Sequence, residues 1–297
     1  MKHLIFYKTA LNRLNLRKIG FTKSATMWHN LRMKERDRLL DYTENLQSQG
    51  RLVFNASEAR KALNQTENAF QKASKRLIQK NKLFRPAKGF YAIIPAQYRS
   101  AKGLPPEWYI DALMKFHDLP YYVGLLSAAA LYGAAHQAPQ ELQVVTTKPL
   151  RLIVAGRTRI RFLTKQGISK TPVQDLKTQT GFFKVSTPEG TAFDLIRYYR
   201  WAGFLNNVAT VLSELSGRLD PKKLISMARN GVDISHVQRL GYLLEKFGEK
   251  LALGDLSDWI SDHSKNFVPL RPGWRGEVTA RDLKWRILVN EQVESDI

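Results

Sequence analysis

Residues 55–95 constrain this chain more than any other stretch, because they write out a short helix, a tight turn, a longer basic helix and a glycine-centred hairpin. The first helix is Ser57-Glu58-Ala59-Arg60-Lys61-Ala62-Leu63, and either Asn55 or Ser57 can cap the free amides at its start. Asn64-Gln65 makes the turn. Thr66 caps a second helix running to about Lys82, along which Phe70, Ala73, Leu77 and Ile78 recur at three- and four-residue steps and share one buried stripe. Leu83-Phe84-Arg85-Pro86-Ala87-Lys88-Gly89-Phe90-Tyr91-Ala92-Ile93-Ile94 then reads as a strand, a basic tip with glycine, and a second strand. That order is a winged helix-turn-helix.

The outward side of the second helix carries Asn68, Gln71, Lys72, Lys75 and Gln79. Asn and Gln pair bidentately with adenine edges, while Lys reaches guanine or phosphate. The expected DNA contacts are therefore Thr66, Asn68, Gln71, Lys72 and Lys75 on the helix, with Arg85 and Lys88 of the wing against phosphates or the minor groove. The competing account is a solvated amphipathic helix followed by an ordinary hairpin. Charge placement favours DNA. Residues 1–90 hold 20 Lys and Arg against 6 Asp and Glu, a net of +14 out of +21 for the whole chain. Such a field speeds association with polyanions and makes it salt-sensitive. RNA and anionic membrane surfaces are polyanions too, so charge alone does not select DNA.

The sequence has no cysteine, which excludes disulfides, thiolate zinc sites and a cysteine nucleophile. No stretch approaches the ~20 apolar residues of a membrane helix. A cytoplasmic protein with no membrane partner is expected. At 297 residues and 43% hydrophobic content, there is room for two or three domains with real cores.

Residues 1–32 carry 7 Lys and Arg and no acid, without a sustained helical face. They read as a basic DNA-binding arm, a targeting peptide, or translated upstream sequence from an over-long gene start. The last is favoured, because Met33-Lys34-Glu35-Arg36-Asp37-Arg38-Leu39-Leu40-Asp41-Tyr42 starts a fresh amphipathic helix whose Leu39, Leu40, Tyr42 and Leu46 can pack on the winged domain. The expected organisation is a basic extension at 1–32, a winged domain at 33–95, a linker at 96–107 and a C-terminal domain at 108–297. The fold class is α+β. Within the C-terminal domain, helices at about 106–117 and 121–134 and a small antiparallel sheet precede about residue 187, and a helical bundle follows it. Thr187-Pro188-Glu189 and Asp220-Pro221 are strong helix starts, and the tail around Lys284-Trp285-Arg286-Ile287-Leu288-Val289 returns as an edge strand.

An enzyme must find its groups here, and few are present. None of the six histidines has paired-ligand spacing, no phosphate-cradling glycine loop or Gly-x-Ser-x-Gly elbow occurs, and Asp194 and Asp233 each stand alone where a nucleotidyltransferase needs closely spaced carboxylates. No catalytic residue, metal site or cofactor is expected, and Asp194 reads as a surface or hydrogen-bonded residue. Residues 148–184 hold nine Lys and Arg against one acid, Asp175. Arg157, Arg159 and Arg161 alternate with apolar residues and would leave one face of a strand, either as a second polyanion surface or as a solvated sheet face.

The run Tyr121-Tyr122-Val123-Gly124-Leu125-Leu126-Ser127-Ala128-Ala129-Ala130-Leu131-Tyr132-Gly133 resembles the AbiEi antitoxin family of type IV toxin–antitoxin systems. The likeness continues through Val185-Ser186-Thr187-Pro188-Glu189-Gly190-Thr191-Ala192-Phe193-Asp194-Leu195 and Gln238-Arg239-Leu240-Gly241-Tyr242-Leu243-Leu244-Glu245, and spans roughly residues 33–297. The resemblance implies a bifunctional protein of phage defence. Its winged domain would bind inverted repeats in its own promoter as a repressor. Its C-terminal domain would counteract a toxin with a nucleotidyltransferase-like fold, not necessarily by direct contact. It brings no catalytic residue. Two other functions remain open: a DNA-binding regulator whose C-terminal domain senses a ligand, and a nucleic-acid-modifying enzyme. Read physically, Gly124, Ser127, Ala128, Gly133 and Gly241 allow close packing, and Arg239 would be held by Asp194 or Glu189.

Overall fold

The computed structural model describes residues 38–134, 139–249, 251–274 and 276–295. Residues 1–32 and the expected start at Met33 lie outside them. The chain is α+β and divides into two compact units, Met1–Ser100 and Ala101–Ile297.

The first unit begins, among the described residues, with α1 over residues 38–48. Strand β1 (Val53–Asn55), helices α2 (Ala56–Leu63) and α3 (Glu67–Gln79), and strands β2 (Leu83–Ala87) and β3 (Phe90–Ile93) follow. Local chemistry sets each boundary. The Asn55 side chain accepts from the Glu58 amide to start α2, and Asn64 ends it in the left-handed region (φ 48°), which asparagine tolerates well. The Thr66 hydroxyl accepts from the Ala69 amide to start α3. Gly89, at φ 86°, turns β2 back onto β3. The three strands pair antiparallel in the order β1-β3-β2, with a register shift between Phe84 and Ala87 where Pro86 has no amide to donate.

Phe70, Ala73 and Leu77 of α3 are buried, with Ile78 packed at the edge of the same core. Leu39 and Leu46 of α1 close it from another side, with Leu40 and Tyr42 against them. At its centre Tyr91 stacks on Phe54 (5.5 Å between centroids) and receives the edge of Phe70 at 5.4 Å. Burying each such ring contributes about 1.5–3 kcal/mol.

The second unit is built on a six-stranded sheet. Its elements are α4 (Ile110–Phe116), β4 (Tyr121–Val123), α5 (Leu125–Leu131), β5 (Leu142–Thr146), β6 (Ile153–Ala155), β7 (Thr158–Thr164), β8 (Val173–Thr178) and β9 (Gly181–Ser186). The strand order is β6-β7-β5-β4-β9-β8, antiparallel except for the parallel pairs β5 with β7 and β4 with β9. Residues 121–123, expected as the first turn of a helix, are instead a central strand. Two tyrosines and a valine suit a pleated surface. Gly124 ends the strand in extended geometry, and a Cβ there would press on Tyr122 (3.1 Å) and Val145 (3.3 Å). Residues 101–104 lie against the β6–β7 hairpin: the Ala101 carbonyl accepts from the Arg157 amide, and Thr158 Oγ1 donates to the Leu104 carbonyl at 3.0 Å.

Helices α6 (Pro188–Arg197), α7 (Phe204–Ser216), α8 (Pro221–Arg229), α9 (Ile234–Phe247) and α10 (Gly254–His263) follow. Thr187 and Asp220 cap α6 and α8 as their cap-then-proline signals require. The tail adds β10 (Val268–Pro269), β11 (Ala280–Asp282) and β12 (Ile287–Val289), in which β12 is the middle strand of three rather than an edge. Trp285 is wholly buried, its indole so close over α9 that a Cβ on Gly241 would overlap the ring. One hydrophobic core joins the sheet to the helices.

Candidate functional site

Helix α3 presents two unlike faces. At 100° per residue, Asn68, Gln71, Lys72, Lys75 and Gln79 fall within about a 100° arc opposite Phe70, Ala73 and Leu77. All five are exposed, as is Thr66 at the cap. Lys72 and Lys75 make no ion pair among the described residues. Gln71 is tethered: its amide donates to Glu67 Oε1 at 3.0 Å, while Glu67 Oε2 accepts from Arg60 Nη1 at 3.2 Å. Arg85 and Lys88 of the β2–β3 hairpin are also exposed and without an ion pair among the described residues. The structure thus brings the expected residues of this unit to the open faces of one helix and one hairpin. Arg76, which the sequence reading passed over, is exposed on the flank of the same face. Its four-residue step from Lys72 was the signal for it.

The second unit uses its polar motif residues differently. Ser127 Oγ donates to the Glu141 carbonyl (3.1 Å) and accepts from the Gln143 amide (2.9 Å). Gln143 accepts from the first turn of α5, at the Leu126 amide, and donates to the Trp201 carbonyl. Asp194 is hydrogen-bonded but completely buried, not on the surface. It pairs with Lys165 Nζ at 2.6 Å and accepts from the Tyr122 hydroxyl at 2.6 Å, and Lys165 also donates to Thr171 Oγ1 at 2.7 Å. Burial, then the neighbouring Asp194 carboxylate, pushes the Tyr122 phenol far up, so it stays a donor.

Arg239 is buried, and among the described residues no carboxylate pairs with it. Its Nε donates to the Pro269 carbonyl at 3.0 Å and its Nη1 to Ser235. Gln238 beside it donates to the carbonyls of Asn266 and Arg286. Together they fasten α9 to the tail. Desolvation lowers the Arg239 pKa from its ordinary value, opposed by Asp233.

The arginine stripe is not uniform. Arg157 lies in the β6–β7 turn and Arg159 on β7, both exposed. Arg161 is half-buried, ion-paired with Glu141 and stacked 4.5 Å from the centroid of Trp201. Among the described residues no cluster of three or more His, Asp or Glu could hold a metal ion, and no helix is long and apolar enough to cross a membrane.

The fold and these sites define a two-unit α+β protein with an open polar helix face in one unit and inward-turned motif residues in the other. Residues 122–246 match the family model described as the AbiEi antitoxin C-terminal domain. Among solved structures the chain is similar to the RV2827C protein from Mycobacterium tuberculosis, at 16% identity and a TM-score of 0.60, covering 83% of this chain and 89% of that one. That likeness is one of fold. The antibiotic-resistance factor ANT(2'')-Ia (11% identity, TM-score 0.28, 40% of this chain and 85% of that one) is too distant to argue from. The same holds for an antigenic nucleotidyltransferase-like protein from Paracoccidioides brasiliensis (11% identity, TM-score 0.31, 52% of this chain and 90% of that one). A comparison with curated proteins gives no match.

Proposed function

We propose that this chain is a two-part antitoxin acting in the cytoplasm. Its first unit is a winged helix-turn-helix that binds inverted repeats in its own promoter and represses the operon. The residues assigned to that contact are Thr66, Asn68, Gln71, Lys72 and Lys75 on α3, with Arg85 and Lys88 on the wing. Its second unit counteracts a toxin of nucleotidyltransferase-like fold in a type IV system of phage defence, without being an enzyme itself. The observation that carries this reading is the match of residues 122–246 to the AbiEi antitoxin C-terminal domain. The exposed amides and lysines of α3 support the DNA-binding half. Arg157 and Arg159 are the candidate second polyanion surface, now without Arg161, whose charge is spent on Glu141.

The test has two arms. The chain is co-expressed with the product of any toxin-like gene found beside its own, and it is titrated in gel shifts against the DNA upstream of its own gene at two salt concentrations. Rescue of growth together with salt-sensitive, operator-preferring binding is the expected outcome. Operator binding without rescue would replace the antitoxin by a plain regulator with a ligand-sensing second unit, a reading that the polar cavity between β7 and α9 favours.

A further inference from the structure

We propose that the cavity bounded by the β7–β8 connection, α6 and the start of α9 is a binding site for a single phosphate group. The cavity measures about 70 Å³ and is lined by Lys165, Lys170, Thr171, Arg197, Asp233 and His236, among others. It has room for several waters or one tetrahedral oxyanion, but not for a nucleoside.

The charges around it leave a single positive excess, Lys165, Lys170 and Arg197 against Asp194 and Asp233. Asp194 is matched by Lys165 and by the Tyr122 hydroxyl. Asp233 caps α9, its Oδ1 accepting from the Ser235 amide at 2.9 Å. Lys170 and Arg197 make no ion pair among the described residues. Lys170 reaches from the β7–β8 connection over the turn before α9, where its Nζ lies 2.9 Å from the place a Cβ on Gly231 would take. Gly231 itself sits at φ 87°, a backbone geometry that favours glycine.

His236 is the second observation. It is half-buried, and its ring makes no hydrogen bond to another of the described residues. Burial above all lowers its pKa to about 4; Asp233 pulls it up, and Arg239, Arg197 and Lys165 pull it down. A half-buried imidazole that bonds to no described residue, beside Lys170 and Arg197, is a donor set that an anion would complete. A bound phosphate would accept from Lys170, Arg197 and His236 and tie the sheet to the helices. It would also reverse the local field, so the His236 pKa must rise on binding.

Inorganic phosphate is the probe, on the full chain at constant ionic strength with chloride as the balancing anion. Imidazole resonances are followed by NMR through a pH titration, with His236 assigned by its loss in His236→Gln. With about 10 mM phosphate, the His236 midpoint moves up by at least about one pH unit, and the thermal midpoint rises. Lys170→Ala and Arg197→Ala each weaken phosphate binding by about tenfold or more. Lys170 and Arg197 are both exposed, so these variants keep the fold. An unmoved His236 midpoint overturns the site, as does a thermal shift of equal size in the Lys170→Ala/Arg197→Ala double variant. Where phosphate binds, a nucleoside 5′-monophosphate and a 5′-phosphorylated oligonucleotide distinguish its source: tighter binding of either identifies the phosphate as that ligand's end, and equal binding identifies free phosphate.

Discussion

The two units spend their polar residues in opposite ways. On α3, Asn68, Lys72 and Lys75 stand in water with donors to spare, while the core behind them is a plain aromatic and aliphatic stripe. In the second unit, Ser127, Gln143, Asp194, Gln238 and Arg239 are buried and committed to internal bonds. Periodic polar residues therefore mean an open surface in the first unit and an internal brace in the second. What the second unit offers a partner must come from residues outside those motifs, such as Arg159 or the cavity at His236.

Three variants break or sharpen this contrast. Asp194→Ala has the largest expected effect. It strands Lys165, whose side chain is 14% exposed, in a site built around a carboxylate. Losing one partner of a buried pair costs about 3–5 kcal/mol. Denaturant unfolding reads the loss, and operator affinity per folded molecule should not change. A stability within error of the parent would show the network to be dispensable. Gln71→Ala reverses the pattern. Stability stays within about 0.5 kcal/mol because the residue is exposed. Operator preference over random DNA falls by about 1–3 kcal/mol for a lost bidentate contact. Unchanged preference in competition gel shifts would remove Gln71 from the reading face. Lys88→Ala is the smallest: operator and random DNA weaken alike, and the salt slope flattens by about one unit. A selective loss of the operator alone would make Lys88 a base reader.

The features legible from the chain are those decided by neighbours in sequence. Asn55, Thr66, Thr187 and Asp220 cap helices through amides two or three residues away, and the α3 stripe repeats within one helix. Residues 121–123 were misread because their state depends on β5 and β9, which lie about 20 and 60 residues further on in sequence. Strand β8 is hard to read from sequence for a related reason: it is an edge strand, its residues mostly exposed, and its pattern is that of a polar loop. The partners of Arg161 and Arg239 were equally illegible. One is Glu141, from the segment before β5, and the other is a backbone carbonyl at Pro269, supplied by the tail. For the candidate DNA face, helical periodicity sufficed to place every residue at the surface. For the cavity, no sequence spacing announced that Lys170, Arg197 and His236 line one space.

The fit of Trp285 over Gly241 also sets an order in time. The core of the first unit is closed by residue 93, whereas that of the second lacks its largest side chain until residue 285 has been made. At about 5–20 residues per second, the interval is roughly 10–40 s of synthesis. During that interval a nascent chain carries a finished first unit ahead of an unfinished second one. In the proposed reading, the half that addresses DNA matures before the half that addresses the toxin, on every chain and from a single message.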